Sequence, residues 1–325
     1  MAPDLWKYCD KAQAREALLS LGLTGNLALT EEKQLSLLYG LANHAEEHYK
    51  KVQIPKRNGK IRTLYVPDNL LKYIQKQILH KVLMPLPLSP CASAYKKGCS
   101  LRENVLPHME KSVVLKLDIS DFFGNITFIS VYQHAFPGEL FPPSLRTLLA
   151  HLCCYRDFLP QGAPTSPYIS NLVMLPFDWY MENWCRSREI TYTRYCDDLA
   201  FSGSFNPSTV IHKASSFLLR MGFQVNPEKT RISTQGQRQS VTGIVVNKKA
   251  QLPKEYRRRL RQEIYYIEKF GLAEHLKKIH SSSHPEKYLE SLEGKVRYVL
   301  QINPLDREFS EALAHLNNIR ISGLG

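Results

Sequence analysis

The chain has 325 residues, of which 43% are hydrophobic and 22% are charged, a composition that excludes a disordered chain. Its 43 lysines and arginines against 30 aspartates and glutamates give a formal net charge of +13, which favours a polyanionic partner. The seven cysteines form no Cys-x-x-Cys pair, so neither a zinc site nor a disulfide framework is expected. No apolar stretch approaches the ~20 residues that span a bilayer, and the first residues lack an apolar signal core. We therefore expect a cytoplasmic protein with no membrane partner.

The first third of the chain is predicted to contain helices and one basic hairpin. Residues 11–50 have a helical pattern. The hairpin is predicted over Tyr49 to Val66, because Asn58-Gly59 is a strong turn signal. Asp68 then caps a helix that ends at a group of prolines beginning with Pro85.

The middle of the chain alternates apolar strands with helices. Val113 to Leu117 predicts a buried strand that ends in Asp118. Helices are expected over 127–155 and over 167–185, and a strand–turn–strand unit follows over 190–203.

The last third is predicted to be mainly helical. Ser208 to Met221 has a helical pattern, and Ser240 to Asn247 is predicted as one strand with a turn at Asn247. From Pro253 onward the pattern is helical and basic. Mixed strands and helices followed by a helical part indicate an α+β core with an appended helical domain.

The segment Tyr195-Cys196-Asp197-Asp198 places two adjacent carboxylates inside an apolar run. Burying an ionised carboxylate costs roughly several kcal/mol unless it is paired or holds a metal. An Asp-Asp pair at a hairpin turn is also an ordinary turn sequence, so a purely structural turn is the alternative. Asp118, at the end of another apolar strand, would complete a carboxylate set for two Mg²⁺ ions. The pattern therefore predicts a nucleotidyl-transfer site.

Two further features follow Asp118. Phe123 would lie under the sugar of an incoming nucleotide and clash with a 2′-hydroxyl; the alternative is a core phenylalanine. Residues 159–167, Leu-Pro-Gln-Gly-Ala-Pro-Thr-Ser-Pro, combine small residues with helix-starting residues. Such a loop lets the backbone approach a ligand closely, or forms a rigid turn with a helix cap.

Taken together, Asp-x-x-x-x-Phe at 118–123, the loop at 159–167 and Tyr-x-Asp-Asp at 195–198 resemble the palm of reverse transcriptases. The resemblance implies an α+β right-hand polymerase with fingers, a palm containing an antiparallel sheet, and a short helical thumb. The implied boundaries are 1–50 for an N-terminal helical extension, 51–115 and 124–165 for the fingers, 116–123 and 166–240 for the palm, and 241–325 for a thumb or RNA-binding region.

The resemblance also implies roles for individual residues. Asp118, Asp197 and Asp198 would be catalytic and, with the Ile119 carbonyl, would hold two Mg²⁺ ions. The implied dNTP-binding residues are Arg62, Lys60, Phe123, Gln161 and Lys229.

Within reverse transcriptases, the chain looks most like the bacterial retron enzymes. Val241-Thr242-Gly243 stands as the retron Val-Thr-Gly motif, and Asn104 to His108 resembles the retron Asn-Ala-x-x-His motif with Val105 in place of Ala. The length leaves room for fingers, palm and a short thumb only.

The implied nucleic-acid contacts lie in these motifs and in the thumb. The thumb arginines lie among tyrosines, which suits phosphate contact and base stacking, although a solvated basic face is the alternative. The residues expected to contact RNA or primer are Tyr195, Asn104, His108, Val241, Thr242, Gly243, Arg257, Arg258 and Arg261.

The resemblance implies an enzyme that copies a cognate structured noncoding RNA into a branched RNA–DNA molecule (msDNA), starting from the 2′-hydroxyl of a specific guanosine. Its implied partners are that RNA, its cDNA, dNTPs and an effector protein, in defence against phage. The alternatives are a group II intron or diversity-generating reverse transcriptase, and an RNA-binding antitoxin or scaffold that keeps a polymerase fold.

Overall fold

The computed structural model describes residues 6, 9–55, 59, 61–280 and 284–321. The chain begins with α1 (Lys11–Ser20) and α2 (Glu31–Asn43), followed by a 3-10 turn at Ala45–His48. Asp10 caps α1, since its carboxylate accepts a hydrogen bond from the Gln13 amide.

A long hairpin follows, as the sequence predicts. It consists of β1 (Tyr49–Pro55) and β2 (Ile61–Pro67), which pair antiparallel. The predicted turn at 56–58 and Lys60 lie outside the described residues. Asp68 caps α3 (Asn69–Ile78), which continues into a π-helical turn at Leu79–Leu83.

The central sheet has four strands in the order β4-β5-β3-β6. Its members are β3 (Val113–Asp118), β4 (Thr191–Tyr195), β5 (Asp198–Gly203) and β6 (Arg231–Thr234), and each neighbouring pair is antiparallel. The predicted strand ending at Asp118 and the predicted 190–203 hairpin are thus confirmed, and they are neighbours.

Helices connect and cover these strands. They are α4 (Leu101–Val105), α5 (Phe128–His134), α6 (Pro143–Cys153), α7 (Ser166–Val173), α8 (Leu175–Arg186) and α9 (Pro207–Arg220). The helical stretches predicted over 127–155 and 167–185 are each divided in two. The first division falls at the prolines between α5 and α6, and the second falls just before Pro176, where proline favours a new first turn.

The prediction of one strand over Ser240 to Asn247 is wrong. The structure has two short strands, β7 (Ser240–Val241) and β8 (Ile244–Val245), which pair with each other. Thr242 and Gly243 adopt φ values of +44° and +82°, and this left-handed backbone reverses the chain.

The C-terminal part is helical, as predicted. It contains α10 (Lys254–Phe270), α11 (Leu272–Lys278), α12 (Pro285–Ile302) and α13 (Arg307–Ile321). Among the residues that the structure describes, no helix is both long and apolar enough to cross a membrane.

Two hydrophobic cores meet at the central sheet. Alternate residues of a strand point to opposite faces, so Leu115 and Leu117 join the larger core with the N-terminal helices. Val114 and Ala200 face the other way and join the core of the C-terminal helices. Asp118 has the same parity as Val114, and the catalytic candidates therefore lie on the side of the sheet that faces the C-terminal helices.

Candidate active site

The β3–β5 pairing brings the predicted carboxylates together. Asp118 lies directly opposite Asp198 in the strand register, and Asp197 occupies the turn next to Asp198. The Ile119 amide donates to the Asp197 carbonyl at 3.1 Å, which ties the end of β3 to that turn. The side chain of Asp118 is nearly buried, with 7% of the residue exposed.

The turn between β4 and β5 has a constrained backbone. Cys196 has a φ of +60°, a left-handed conformation that costs a non-glycine residue about 1 kcal/mol. The Tyr95 hydroxyl donates to Cys196 Sγ at 3.4 Å, and Arg194 Nη1 donates to the Cys196 carbonyl at 3.2 Å. Neighbouring residues therefore hold the backbone that carries Asp197.

Lys229 lies on Asp118 and pairs with both carboxylate oxygens, at 2.9 Å to Oδ1 and 2.8 Å to Oδ2. The loop before it is anchored at the same place, because the Asn226 amide donates to the Asp118 carbonyl at 2.7 Å. Burial raises the pKa of Asp118, while Lys229 opposes that rise. The pKa of Lys229 is raised in turn by its hydrogen bonds to Asp118.

The carboxylates also act on one another. Burial, followed by the neighbouring charges of Asp197 and Asp118, raises the pKa of Asp198 to about 6. Asp198 is exposed, because it lines a cavity at this edge of the sheet. Carboxylates that repel each other in this way favour a bound cation.

The donor set fits Mg²⁺ in kind, because this ion takes oxygen ligands and needs one or two carboxylates beside substrate phosphates and waters. Within the described ranges, no group of three or more His, Cys, Asp or Glu side chains is arranged to hold a metal ion. In this structure Lys229 engages both oxygens of Asp118.

A cavity of about 300 Å³ opens beside these carboxylates. Its walls include two cations that the sequence analysis did not identify, Lys116 and Arg231. Lys116 stands two residues before Asp118, and this spacing on a predicted strand could have placed it on the same face. The remaining lining residues are Asn104, Leu117, Asp118, Asp198, Leu199, Ala200, Lys229, Val241, Thr242 and Gly243.

The structure contradicts the predicted RNA contact of His108. Its side chain is fully buried, with Nδ1 at 2.7 Å from Ser202 Oγ and Nε2 at 2.8 Å from Thr193 Oγ1. Burial, with a smaller effect of Lys111, lowers the pKa of His108 to about 3, so the ring is neutral. His108 therefore connects its 3-10 turn (Leu106–His108) to β4 and β5, the two strands on either side of the turn at Cys196 and Asp197.

Asn104 brings the two retron-like motifs into contact. It is buried, accepts a hydrogen bond from Ser93 Oγ at 2.7 Å and approaches Thr242 Oγ1 with its amide nitrogen at 3.5 Å. The Val241 side chain belongs to the C-terminal core, which contradicts a contact of that side chain with RNA or primer. Thr242 is half-buried and Gly243 is exposed, and both line the cavity.

The predicted nucleotide-binding loop packs on the long hairpin. The Gln161 carbonyl accepts a hydrogen bond from the Tyr65 amide at 2.7 Å. Gly162 has a φ of +118°, and a Cβ there would lie 2.9 Å from the Tyr65 carbonyl oxygen. Glycine is therefore required by this close approach.

The other predicted nucleotide-binding residues differ in exposure. Arg62 is exposed on β2, opposite Ile54. Phe123 is 9% exposed and packs edge-on against Phe122, with ring centroids 5.4 Å apart. Tyr195 is half-buried and packs against the larger core.

The three α10 arginines that are predicted to contact RNA have different partners. Arg258 is exposed, whereas Arg261 is paired with both carboxylate oxygens of Glu308 at 2.5 and 2.8 Å. Arg257 donates to the Leu252 carbonyl at 3.2 Å. Arg258 is thus the most available of the three predicted RNA contacts.

Comparison with known proteins agrees with this geometry. The family described as reverse transcriptase (RNA-dependent DNA polymerase) matches residues 54–289. The chain belongs to this family, and the right-hand polymerase fold expected from the sequence is confirmed.

More closely, the chain is 34% identical over 282 residues to the retron Mx65 reverse transcriptase of Myxococcus xanthus, covering 80% of this chain and 63% of that protein. It is 33% identical over 213 residues to the retron Ec86 reverse transcriptase of Escherichia coli (64% and 66%) and 30% identical over 236 residues to the retron Ec83 reverse transcriptase of the same species (67% and 75%). It therefore falls among the retron reverse transcriptases, and its matches span 63% and 66% of the length of the Mx65 and Ec86 proteins.

Proposed function

We propose that the chain is an RNA-directed DNA polymerase. The observation that carries this proposal is the register of the central sheet, which sets Asp118 opposite Asp198 with Asp197 in the adjoining turn. Asp118 and Asp198 line a cavity together with the cations Lys116, Lys229 and Arg231, which suits a reaction between phosphates. Membership of the reverse transcriptase family supports the same reaction.

In the proposed reaction, Asp118, Asp197, Asp198 and the Ile119 carbonyl hold two Mg²⁺ ions. When bound, these ions would lower the barrier by stabilising charge on the attacking and leaving oxygens. Lys229 lies 2.8 Å from Asp118 Oδ2 and would neutralise charge on the departing pyrophosphate.

The remaining roles concern the nucleotide. Arg62 and Lys60 would bind the triphosphate from the long hairpin. Gln161 would line the nucleotide pocket, because its loop is fixed to that hairpin through Tyr65. Phe123 would disfavour ribonucleotides by contact with a 2′-hydroxyl.

At a finer level we infer that the template is a cognate structured noncoding RNA. The enzyme would prime from the 2′-hydroxyl of a specific guanosine and yield msDNA. The retron relatives support this, as does the meeting of Asn104 with Thr242 beside the carboxylates. An effector partner and a role in defence against phage rest on the same resemblance, as do proposed RNA contacts by Arg257, Arg258 and Arg261.

Primer extension on an RNA template with Mg²⁺ tests the proposed activity. The wild-type chain should extend the primer, and the Asp197→Asn/Asp198→Asn double variant should not, because amides cannot replace the carboxylate charge. RNA binding, measured in parallel, should be unchanged in the variant. Extension by the variant at the wild-type rate would contradict a role for these carboxylates in the reaction. A wild-type protein that binds RNA without extending a primer would favour the RNA-binding scaffold alternative.

A second experiment tests the retron-level proposal. Nucleic acid that copurifies with the wild-type chain should contain RNA joined to DNA through a 2′–5′ branch, which a debranching enzyme separates into two products. Unbranched cDNA alone would agree with the proposed polymerase activity but would contradict priming from a 2′-hydroxyl.

A further inference from the structure

A fully buried ion pair lies directly behind the catalytic turn. Arg194 is the residue of β4 that comes two positions before Cys196, and Asp178 lies on α8; both side chains have no exposed surface. Arg194 Nε donates to Asp178 Oδ1 at 2.9 Å and Nη2 donates to Oδ2 at 2.6 Å, a two-pronged arrangement with fixed geometry.

The remaining arm of the guanidinium reaches the turn itself. Nη1 donates to Asn171 Oδ1 on α7 at 3.0 Å and to the carbonyl oxygen of Cys196 at 3.2 Å. That carbonyl belongs to the peptide bond joining Cys196 to Asp197. The guanidinium thus connects two helices to the peptide group that precedes a catalytic carboxylate.

The backbone at this point needs such support. Cys196 has a φ of +60°, and a strained conformation of this kind persists only where the surrounding structure holds it. The main chain of Arg194 is fixed as well, since its amide donates to the Cys91 carbonyl at 2.8 Å and its carbonyl accepts from the Ser93 amide at 3.0 Å.

Stability does not account for this arrangement by itself. Removing two charges from water is costly, and replacing a buried ion pair by apolar side chains of similar size is often neutral or stabilising. An ion pair with Asp178 alone would leave Nη1 of Arg194 without a partner, whereas here Nη1 also donates to the Cys196 carbonyl in the turn.

We propose that Arg194 is a positioning residue for catalysis: Asp178 and Asn171 fix its guanidinium, which fixes the Cys196 carbonyl and thereby the direction of the Asp197 carboxylate. This inference rests on the proposed polymerase function. It predicts that loss of Arg194 lowers kcat more than it changes KM, because binding surfaces stay in place while the catalytic carboxylate is displaced.

The main test uses the Arg194→Met/Asp178→Leu double variant of the full chain. It exchanges the ion pair for apolar side chains of similar volume, so the core remains filled while the turn loses its donor. Primer extension should show a kcat reduced by roughly 10- to 100-fold, the size expected for a displacement near 1 Å, with a smaller change in KM for the dNTP.

Cysteine labelling supplies a readout that does not depend on activity. Cys196 is the turn residue, and Cys185 lies fully buried on α8. Alkylation followed by mass spectrometry should show faster modification of Cys196 in the double variant, with Cys185 still protected. Equal gains at both cysteines would indicate general unfolding instead of a displaced turn.

Tyr192→Phe is the matched control. The Tyr192 hydroxyl donates to the same Asp178 at 2.8 Å, and its removal perturbs the network without touching the Cys196 carbonyl. Both kcat and the Cys196 labelling rate should stay at wild-type values.

The outcomes separate this inference from the proposed function. An inactive wild type would contradict the polymerase proposal, whereas an active wild type with an equally active double variant would overturn the role of Arg194. Should the double variant fail to fold, Arg194→Lys decides. A single ammonium keeps the charge and cannot serve Asp178, Asn171 and Cys196 together, so wild-type kcat and labelling in this variant would also overturn the inference.

Discussion

At the scale of single residues, Lys229 makes a contact that its implied role in dNTP binding does not predict. Its ammonium pairs with both oxygens of Asp118, the carboxylate that is proposed to bind a cation. In the proposed mechanism the lysine would therefore compete with a divalent ion for this ligand before substrate is present, and would move to the pyrophosphate once the nucleotide is in place.

This competition predicts the effect of Lys229→Met. Mn²⁺ should bind the free protein more tightly by roughly 3- to 10-fold, because one close positive charge is removed from a largely buried carboxylate. Primer extension should nevertheless slow, since the pyrophosphate loses a neutralising cation. Electron paramagnetic resonance titration of Mn²⁺ measures the affinity.

Arg231→Met is the control for that experiment. Arg231 lines the same cavity and donates from Nη1 to the Thr230 carbonyl, not to Asp118. Its removal should change Mn²⁺ affinity less than Lys229→Met does. Unchanged or weaker Mn²⁺ binding in Lys229→Met would contradict the competition.

At the scale of single elements, the sequence predicts the strands of the central sheet better than it predicts the turns and side chains around them. The apolar runs at 113–117 and 190–203 predict β3, β4 and β5, because a short apolar run bounded by polar or turn residues is a local property. The turn at Thr242 was missed, since a left-handed threonine carries no local signal. The motif predicts an RNA contact for His108, but a motif does not indicate which way a side chain points, and this one points into the core.

His108 gives a prediction for the pH dependence of stability. Its pKa is about 3 in the folded protein against 6.5 for an ordinary histidine, so the unfolded chain binds the extra proton between these values. The free energy of unfolding therefore has its full value above pH 6.5 and decreases as the pH drops below it. His108 alone contributes a decrease of about 2 kcal/mol at pH 5. Urea unfolding of wild type and His108→Gln at pH 7 and pH 5 measures the difference.

The His108→Gln variant should lose less stability than wild type between those two pH values. Glutamine does not titrate, so its contribution remains constant even if the variant is weaker at both pH values. An equal loss in the two proteins would mean that His108 is not the group responsible.

Helix α10 gives a prediction about RNA. Arg258 and Arg259 are both exposed on this helix, so Arg258→Glu/Arg259→Glu should weaken RNA binding and reduce the dependence of log Kd on log salt concentration. The control is Lys277→Gln/Glu274→Gln, which removes an existing ion pair on α11 without changing net charge. A salt dependence that matches wild type in the glutamate variant would indicate that this face is simply solvated.

At the scale of the whole molecule, two cores share one sheet. The larger core holds the N-terminal helices on one face, and the C-terminal helical core covers the other through Val114 and Ala200. The carboxylates lie on the second face, at the strand ends where that core gives way to the cavity. A division into fingers, palm and thumb at the expected boundaries remains a prediction.

The same scale explains which parts of the site the sequence could predict. Asp118 ends one apolar strand, Asp198 begins another and Asp197 lies in the turn before it, so the local pattern is enough to select them. The contacts of Lys229 with Asp118, Asn104 with Thr242 and Arg194 with Asp178 join distant segments, or separate elements, whose meeting depends on packing. The family resemblance implies that Lys229 binds the dNTP, but it does not predict the pairing of Lys229 with Asp118.

The most direct test of the central claim is single-nucleotide extension of a DNA primer on an RNA template with Mg²⁺, comparing wild type with Asp118→Asn. Both proteins should bind the primer–template equally, because the Asp118 side chain is nearly buried and pairs with Lys229 within the protein. We predict extension by wild type and a rate reduced by roughly a thousandfold or more in Asp118→Asn, since a charged cation ligand is lost. Extension by Asp118→Asn at the wild-type rate would contradict the claim that the paired strands β3 and β5 form a polymerase active site.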